Sequence, residues 1–238
     1  PPIPQPMRQY PTLSDAPSRR RLFPFTLEPM MTAPADPRAT LATLARRFYE
    51  RGWMAGAAGN LSCRLPDGSI EITALMRPKD NLREDDFLQI AIDGQILRKG
   101  RAQDKPSTAA AVHLALYDRF PGARYVAQLL PAEAQLVARM ALQDELPLPA
   151  LEHLKAFGIW EVGPEITIPV FENHPDAPRI AGEIRARVAA SPPRVPGLLI
   201  REHGLTLWAS SAQQLVNYAE VFDHLFRFML QARMAGLD

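Results

Sequence analysis

The sequence predicts an α/β fold in which helices cover a mixed sheet. Its 238 residues are 47% hydrophobic and 22% charged with a net charge of +1, which suits one sizeable core. Two β-hairpin patterns come early in the chain, and helical and β-favouring segments alternate after them. Neither an internal repeat nor a second domain is visible in the sequence.

Residues 1–36 differ in composition from the rest of the chain. Ten of the 24 prolines fall within the first 37 residues, beside a basic run at 19–21. Proline fixes φ and removes a backbone donor, so this stretch cannot hold a helix or a strand ladder for long. We expect an extended or disordered arm over 1–36 and one domain over 37–238. A wrongly assigned start is the alternative, because the arm carries no motif.

Local signals predict the first helix and both hairpins. Asp36 can cap a helix that begins at Pro37, and Gly52 ends it. Each hairpin has two short β-favouring runs around a turn, in which Gly68 or Gly94 permits a positive φ. The strands predicted here are 60–65, 70–75, 87–92 and 95–97.

The second half of the chain alternates between strands and helices. Ser107 can cap one helix, Pro131 begins the next, and a stripe that includes Phe222 and Phe226 marks the last. The predicted strands are 125–130, 166–171 and 198–201. The predicted helices are 107–117, 131–142, 177–189 and 210–234.

The single cysteine and five histidines limit the metal sites that this chain can build. Cys63, expected to be a small buried side chain, permits neither an internal disulfide nor a cysteine-ligated zinc cluster.

The near-neutral charge argues against nucleic acid as a partner, and no apolar run is long enough for a membrane span. No secretory signal pattern is visible, so the expected location is the cytoplasm.

Nine short segments between about residues 40 and 232 carry a resemblance to a known family. They include Gly59-Asn60-Leu61-Ser62, Lys105-Pro106-Ser107, Pro169-Val170-Phe171-x-Asn173 and His203-Gly204-Leu205. In this order they resemble the class II aldolase/adducin family, and the branch most similar is that of the methylthioribulose-1-phosphate dehydratases. The resemblance implies a three-layer α/β/α fold with a mixed, largely antiparallel sheet. It also implies a small-molecule substrate and a homo-oligomer, commonly a tetramer, with active sites at subunit interfaces.

The family's zinc site is incomplete in this sequence. The resemblance implies three histidine ligands, two in a His-x-His pair on one strand and a third before a Gly-Leu dipeptide. Gln128 and Leu130 stand at the pair, and only His203 matches. Leucine has no lone pair and a glutamine carbonyl is a poor zinc ligand, so we predict no metal ligands and no cofactor.

Two further departures concern proton transfer and phosphate. The glutamate that serves the aldolase branch as acid and base is absent after Ser107, but the glutamate of the dehydratase branch matches Glu152. Leu75 and Met76 replace a Ser-Gly pair that lets backbone amides approach an anion, and this replacement weakens phosphate binding.

The predicted catalytic residues are Glu152 and His203. The predicted substrate-binding residues are Asn60, Thr73, Lys79, Lys105, Ser107, Thr108 and Gln128. The remaining histidines, expected to be ordinary polar or packing residues, are His113, His153, His174 and His224.

Two classes of function remain open. One is a lyase, dehydratase or isomerase acting on a carbonyl, sugar-phosphate-like substrate. In it Glu152 moves a proton, and His203, Lys79 or a metal held by unfamiliar ligands polarises the oxygen; the metal-independent form is favoured. The other is a non-catalytic binding or scaffold protein whose pocket has become more apolar. The sequence favours a repurposed, metal-independent member of the family and leaves catalysis itself open.

Overall fold

The computed structural model describes residues 36–237, so most of the arm expected over 1–36 lies outside the described residues. Within that range five α-helices and nine strands form. The helices are α1 (Pro37–Glu50), α2 (Ala110–Arg119), α3 (Ala132–Met140), α4 (Ala177–Ala190) and α5 (Ala212–Met234). The strands are β1 (Asn60–Arg64), β2 (Ile70–Thr73), β3 (Phe87–Ile90), β4 (Ile96–Arg98), β5 (Tyr125–Leu129), β6 (Glu145–Leu148), β7 (Ile166–Phe171), β8 (Gly197–Ile200) and β9 (Gly204–Ala209).

The nine strands of the described range form one sheet in the order β4-β3-β2-β1-β5-β9-β8-β7-β6. Each neighbouring pair is antiparallel except β7 and β8, which are parallel. The expectation of a mixed, largely antiparallel sheet is therefore confirmed. The hairpins β1–β2 and β3–β4 occupy one end of the sheet, as their turn signals predicted.

Helices cover both faces of the sheet and give the expected three layers. Residues of α1, α3 and α5 pack in one core cluster with alternate residues of the strands, such as Ala127 and Leu129 of β5. Residues of α2 and α4 pack in a second cluster with the intervening positions, such as Val126. Because successive strand residues face opposite sides, β5 contributes to both cores and is buried along its whole length.

Two strands, β6 and β9, were not predicted from the sequence, and helix α2 begins later than predicted. β6 contains Pro147, which the sheet tolerates because β6 is an edge strand. Every residue of β9 is buried, so its sequence shows no alternation. The helix expected from Ser107 begins at Ala110, because the Ser107 hydroxyl accepts the Ala109 N–H at 3.2 Å in a preceding turn.

The final helix confirms the apolar stripe read from the sequence. Phe222 and Phe226 of α5 are fully buried against the sheet. Within residues 36–237, no helix is both long enough and apolar enough to cross a membrane.

Candidate functional site

A cavity of about 190 Å³ lies where β1 and β5 meet the loops at the ends of β2 and β8. A second compartment of about 100 Å³, beside α2 and the loop before α4, shares Ala109, Gln128 and His203 with it. The larger compartment is lined by Ala57, Ala58, Gly59, Asn60, Ala74, Leu75, Met76, Lys79, Ser107, Ala109, Gln128, Leu130 and His203. The two compartments together form the candidate site.

Two glycines let the surrounding loops close against β5. Gly59 has a φ of +80°, and a Cβ there would lie 2.9 Å from the carbonyl oxygen of Gln128. Gly204 has a φ of +139°, and a Cβ there would lie 2.5 Å from the carbonyl oxygen of Leu129. Only glycine fits both the left-handed backbone and this close approach. The adjacent Asn60 and His203 are thereby placed beside Gln128.

Within the described part of the chain, residues 36–237, three buried polar atoms in this cavity have no hydrogen-bond partner: Asn60 Oδ1, Gln128 Oε1 and His203 Nε2. The Asn60 amide nitrogen donates to the Thr73 carbonyl at 3.4 Å, and the Gln128 amide nitrogen donates to Thr206 Oγ1 at 3.3 Å. Both amide nitrogens are therefore occupied by the protein, while the oxygens are left free. Asn60 is 3% exposed and Gln128 is 2% exposed, and unpaired groups at such depth destabilise the fold by about 1–3 kcal/mol each. A ligand with hydrogen-bond donors would satisfy them.

The imidazole of His203 is neutral near pH 7. Burial lowers its pKa below the ordinary value because the charged form loses its hydration. A neutral ring has one donor and one acceptor nitrogen, so His203 can either accept a proton from a ligand hydroxyl or donate one to a ligand oxygen. Its backbone carbonyl accepts from the Gln135 side chain at 3.2 Å, which fixes the loop between β8 and β9.

Lys79 also lines the cavity and is 1% exposed. Its Nζ donates to the carbonyl oxygens of Ala57 at 3.0 Å and Arg77 at 2.6 Å. Burial lowers the pKa of Lys79 to about 8, although the negative charge of Asp86 acts in the opposite direction. The cavity therefore contains a buried amine that has carbonyls, and no carboxylate, as its hydrogen-bond partners.

The structure brings together six of the nine predicted site residues. They are Asn60, Lys79, Ser107, Thr108, Gln128 and His203. Ser107, Thr108 and Ala109 form the turn that enters α2, and this turn places both hydroxyl-bearing side chains at the cavity wall.

The side chains of Thr73 and Lys105 do not line the cavity. Ile72 packs toward α2 and α4, so strand alternation directs Thr73 to the opposite face, where its hydroxyl accepts the Leu61 N–H at 3.2 Å. Lys105 is exposed, and its backbone carbonyl, rather than its ammonium, contacts the cavity loop by accepting the Leu75 N–H at 3.0 Å.

Glu152 also lies apart from the cavity of its own chain. It begins a short 3₁₀ helix, Glu152–Phe157, that packs against α5. Its side chain is 83% exposed and forms an ion pair with Lys155. Within one chain, Glu152 therefore does not meet His203 or Gln128.

Several site features were missed or underestimated in the sequence. Asn173 and His174, in the loop between β7 and α4, line the smaller compartment. His174 was expected to be an ordinary polar residue, whereas Asn173 belongs to a segment that carried the family resemblance and could have been found from it. Met76 retains a glycine-like φ of +59° at the wall of the larger compartment, where its side chain is 72% exposed.

A buried polar network around α2 was also missed. Ser62 Oγ lies 2.7 Å from His113 Nδ1 and 2.9 Å from the Tyr117 hydroxyl. His113 is completely buried, and desolvation lowers its pKa to about 3. The network therefore holds a neutral imidazole between β1 and α2 at ordinary pH.

The residues at the family's metal position do not fit a three-histidine zinc centre. Leu130 lines the cavity but supplies no donor atom, and Gln128 offers one neutral amide oxygen beside His203. Among residues 36–237, no group of three or more His, Cys, Asp or Glu side chains is arranged to hold a metal ion. The cavity instead presents neutral hydrogen-bonding atoms and one buried amine.

Comparison with known proteins gives consistent results. The family model described as the class II aldolase and adducin N-terminal domain matches residues 39–230. A methylthioribulose-1-phosphate dehydratase from Microcystis aeruginosa is 41% identical over 198 residues, which cover 83% of this chain and 97% of that protein. One from Leptospira biflexa is 35% identical over 198 residues, covering 79% and 94%. The crystal structure of L-fuculose-1-phosphate aldolase from Thermus thermophilus shares the fold, with a TM-score of 0.65 and 21% identity over 84% of this chain and 95% of that one.

Proposed function

Because the chain belongs to the class II aldolase and adducin family, we propose that it is a metal-independent lyase, dehydratase or isomerase of a small hydroxylated carbonyl compound. The observation that carries this proposal is the convergence of Asn60 Oδ1, Gln128 Oε1 and His203 Nε2, all unpartnered, in one cavity. Substrate hydroxyl groups supply the donors that these atoms lack. The dehydratase relatives support elimination of water as the parent reaction.

The replacement of ligands at 128 and 130 supports a changed mechanism. A metal that polarises a carbonyl contributes several kcal/mol to transition-state stabilisation, and this chain must supply that effect from its own groups. Lys79, His203 and the Ser107 hydroxyl are cavity groups able to donate a hydrogen bond to a developing oxyanion. We therefore expect a reaction or substrate that differs from that of the dehydratase relatives.

The residues of the cavity wall support weaker phosphate binding than the family resemblance implies. The Leu75 N–H is engaged by the Lys105 carbonyl, and the Met76 side chain stands where the family resemblance implies glycine. An anion prefers an open surface lined with free backbone N–H groups, and neither residue provides one. A sugar phosphate can still contact Ser107 and Thr108, which also line the site.

Proton transfer by Glu152 requires a second copy of the chain. The carboxylate is exposed and outside its own cavity, whereas the family resemblance implies active sites at subunit interfaces. We propose that Glu152 of one copy removes the proton next to the carbonyl of a substrate held by Gln128 and His203 of another. Its exposure in the single chain supports this arrangement, since a neighbouring copy would cover it.

Elemental analysis of the full chain purified without added metal tests the metal-free mechanism. We expect well under one divalent ion per chain, and near-stoichiometric zinc would refute the proposal. In parallel, an assay with methylthioribulose 1-phosphate should show turnover far below that of a family dehydratase, and a normal rate would mean that the missing histidines do not matter.

Variants then test the site. His203→Ala should strongly reduce any lyase or isomerase activity on hydroxylated carbonyl compounds, whereas His224→Ala, at an exposed position on α5, serves as the matched control. Ligand binding in the cavity without turnover of such compounds would favour the non-catalytic binding protein instead.

A further inference from the structure

Lys79 differs from the other three lysines of the chain. Lys99, Lys105 and Lys155 are exposed, whereas Lys79 is fully buried in the wall of the candidate site. Lysine is seldom buried without a charged partner, because its ammonium group loses hydration there. Within residues 36–237, Lys79 forms no ion pair, and its Nζ is held only by the Ala57 and Arg77 carbonyls.

This environment favours the reactive, neutral amine. Two carbonyl oxygens compensate only part of the lost hydration of the ammonium group, which is why the pKa of Lys79 falls to about 8. At pH 7 roughly a tenth of such a group is unprotonated, compared with well under a hundredth for an exposed lysine. A desolvated amine in a pocket is the form in which lysine attacks carbonyl carbon atoms.

We propose that Lys79 forms an imine with the carbonyl carbon of the substrate. The inference rests on the proposed function, because a carbonyl enzyme without a metal needs another way to withdraw electrons from the neighbouring C–H bond. Lys79 shares a cavity with Gln128 and His203, whose unpaired atoms can hold the hydroxyl groups of the same molecule. The loop carbonyls of Ala57 and Arg77 hold Nζ in place for attack.

The reaction balances without any further reagent. Nζ bonds to the carbonyl carbon, the carbonyl oxygen leaves as water, and a protonated C=N bond forms. The adjacent carbon then loses a proton to the Glu152 carboxylate of a neighbouring copy, its electron pair forms a C=C bond, and the C=N pair returns to nitrogen. In a dehydration, that nitrogen pair then expels the hydroxyl group on the next carbon, which takes the proton back from Glu152 and leaves as water. One water molecule finally hydrolyses the imine and frees Lys79, so the net change is the loss of one water from the substrate.

Reductive trapping tests the proposal directly. The full chain is incubated at pH 7 with dihydroxyacetone and cyanoborohydride, and the adduct is located by peptide mass mapping. Among the four lysines we expect about one adduct per chain, on Lys79, because the exposed lysines are almost fully protonated at this pH; label on the α-amino group, whose ordinary pKa is also about 8, is counted separately. Labelling spread over Lys99, Lys105 and Lys155, with none at Lys79, would overturn the inference.

Two variants distinguish chemistry from a structural role. Lys79→Arg keeps a positive charge that can hydrogen-bond to the two loop carbonyls but cannot form an imine, so it should fold yet lose both the adduct and the activity. Lys99→Met, at an exposed position that has no part in the candidate site, should keep both. If Lys79→Arg keeps full activity, Lys79 only fixes the loop and the inference fails.

The trapping experiment is independent of turnover. An adduct on Lys79 without turnover of any hydroxylated carbonyl compound would preserve the imine and refute the proposed enzymatic function. Lyase activity that survives in Lys79→Arg would support the proposed function and refute the imine. Absence of both would refute both.

Discussion

Gln128 and Thr206 face each other across β5 and β9, and the Gln128 amide nitrogen donates to the Thr206 hydroxyl at 3.3 Å. This contact fixes the orientation of the amide and leaves the Gln128 carbonyl oxygen without a partner in the cavity. Position 128 is also where the family resemblance implies a zinc-binding histidine. The same strand position thus presents a neutral acceptor in place of a metal ligand.

Restoring the two missing histidines should create a metal site. In the double variant Gln128→His, Leu130→His, the new imidazoles would line the cavity beside His203, since all three positions already lie in its wall. We expect about one zinc ion per chain, measured by elemental analysis after dialysis against zinc. Gln128→His alone is the matched control and should bind far less. A double variant that stays free of zinc would show that the loop between β8 and β9 holds His203 in a different orientation.

The sequence predicted the sheet better than the site. Local turn and capping signals were enough for α1 and the two hairpins, because these depend on neighbouring residues. Placing Thr73 required knowledge of which face of β2 is turned toward α2, and placing Glu152 required the packing of its helix against α5. Both depend on contacts between distant parts of the chain, which a family motif does not report. The proposed role of Glu152 would depend on a further copy as well.

Met76 should be strained in the native structure. Its φ of +59° lies in the left-handed region, which costs a residue with a Cβ about 1 kcal/mol or more. Met76→Gly removes this strain and, because the side chain is 72% exposed, loses little packing. We expect the free energy of unfolding in urea to rise by about 0.5–1 kcal/mol after the greater chain entropy of glycine is subtracted. Met76→Ala keeps the strain and should stay within about 0.5 kcal/mol of the parent chain. If Met76→Ala raises the free energy of unfolding as much as Met76→Gly does, the gain comes from removing the methionine side chain and not from relieving backbone strain.

His113 should make stability depend on pH. Its pKa is about 3 in the folded chain and near 6.5 when exposed, so below pH 6.5 the unfolded chain binds the extra proton first. Stability from this group is complete above pH 6.5 and falls between pH 6.5 and 3, by at most about 1.4 kcal/mol per pH unit. Urea unfolding across this range should show a shallower loss in His113→Gln than in the parent chain. The exposed His153→Gln should follow the parent curve. If the free energy of unfolding falls equally with pH in the parent chain and in His113→Gln, the buried imidazole must become protonated near pH 6.5 while the chain is still folded.

Mixing two inactive variants should show whether Glu152 serves a neighbouring copy. Glu152→Gln keeps an intact cavity, and His203→Ala keeps an intact carboxylate. If each site takes Glu152 from one chain and His203 from another, co-assembled mixtures contain sites in which both groups are present. For random assembly in equal amounts, about a quarter of the sites are complete, so we expect about a quarter of the parent activity.

The same mixture separates this arrangement from a site within one chain. When both residues must come from one copy, each variant chain lacks one of them in every assembly, and no mixture regains activity. The control combines the two variants after each has assembled separately, which should give no activity until the subunits exchange. Activity that appears only after co-assembly would require Glu152, exposed on its 3₁₀ helix, to lie in the cavity of a neighbour, since intact His203 and intact Glu152 are then never on the same chain.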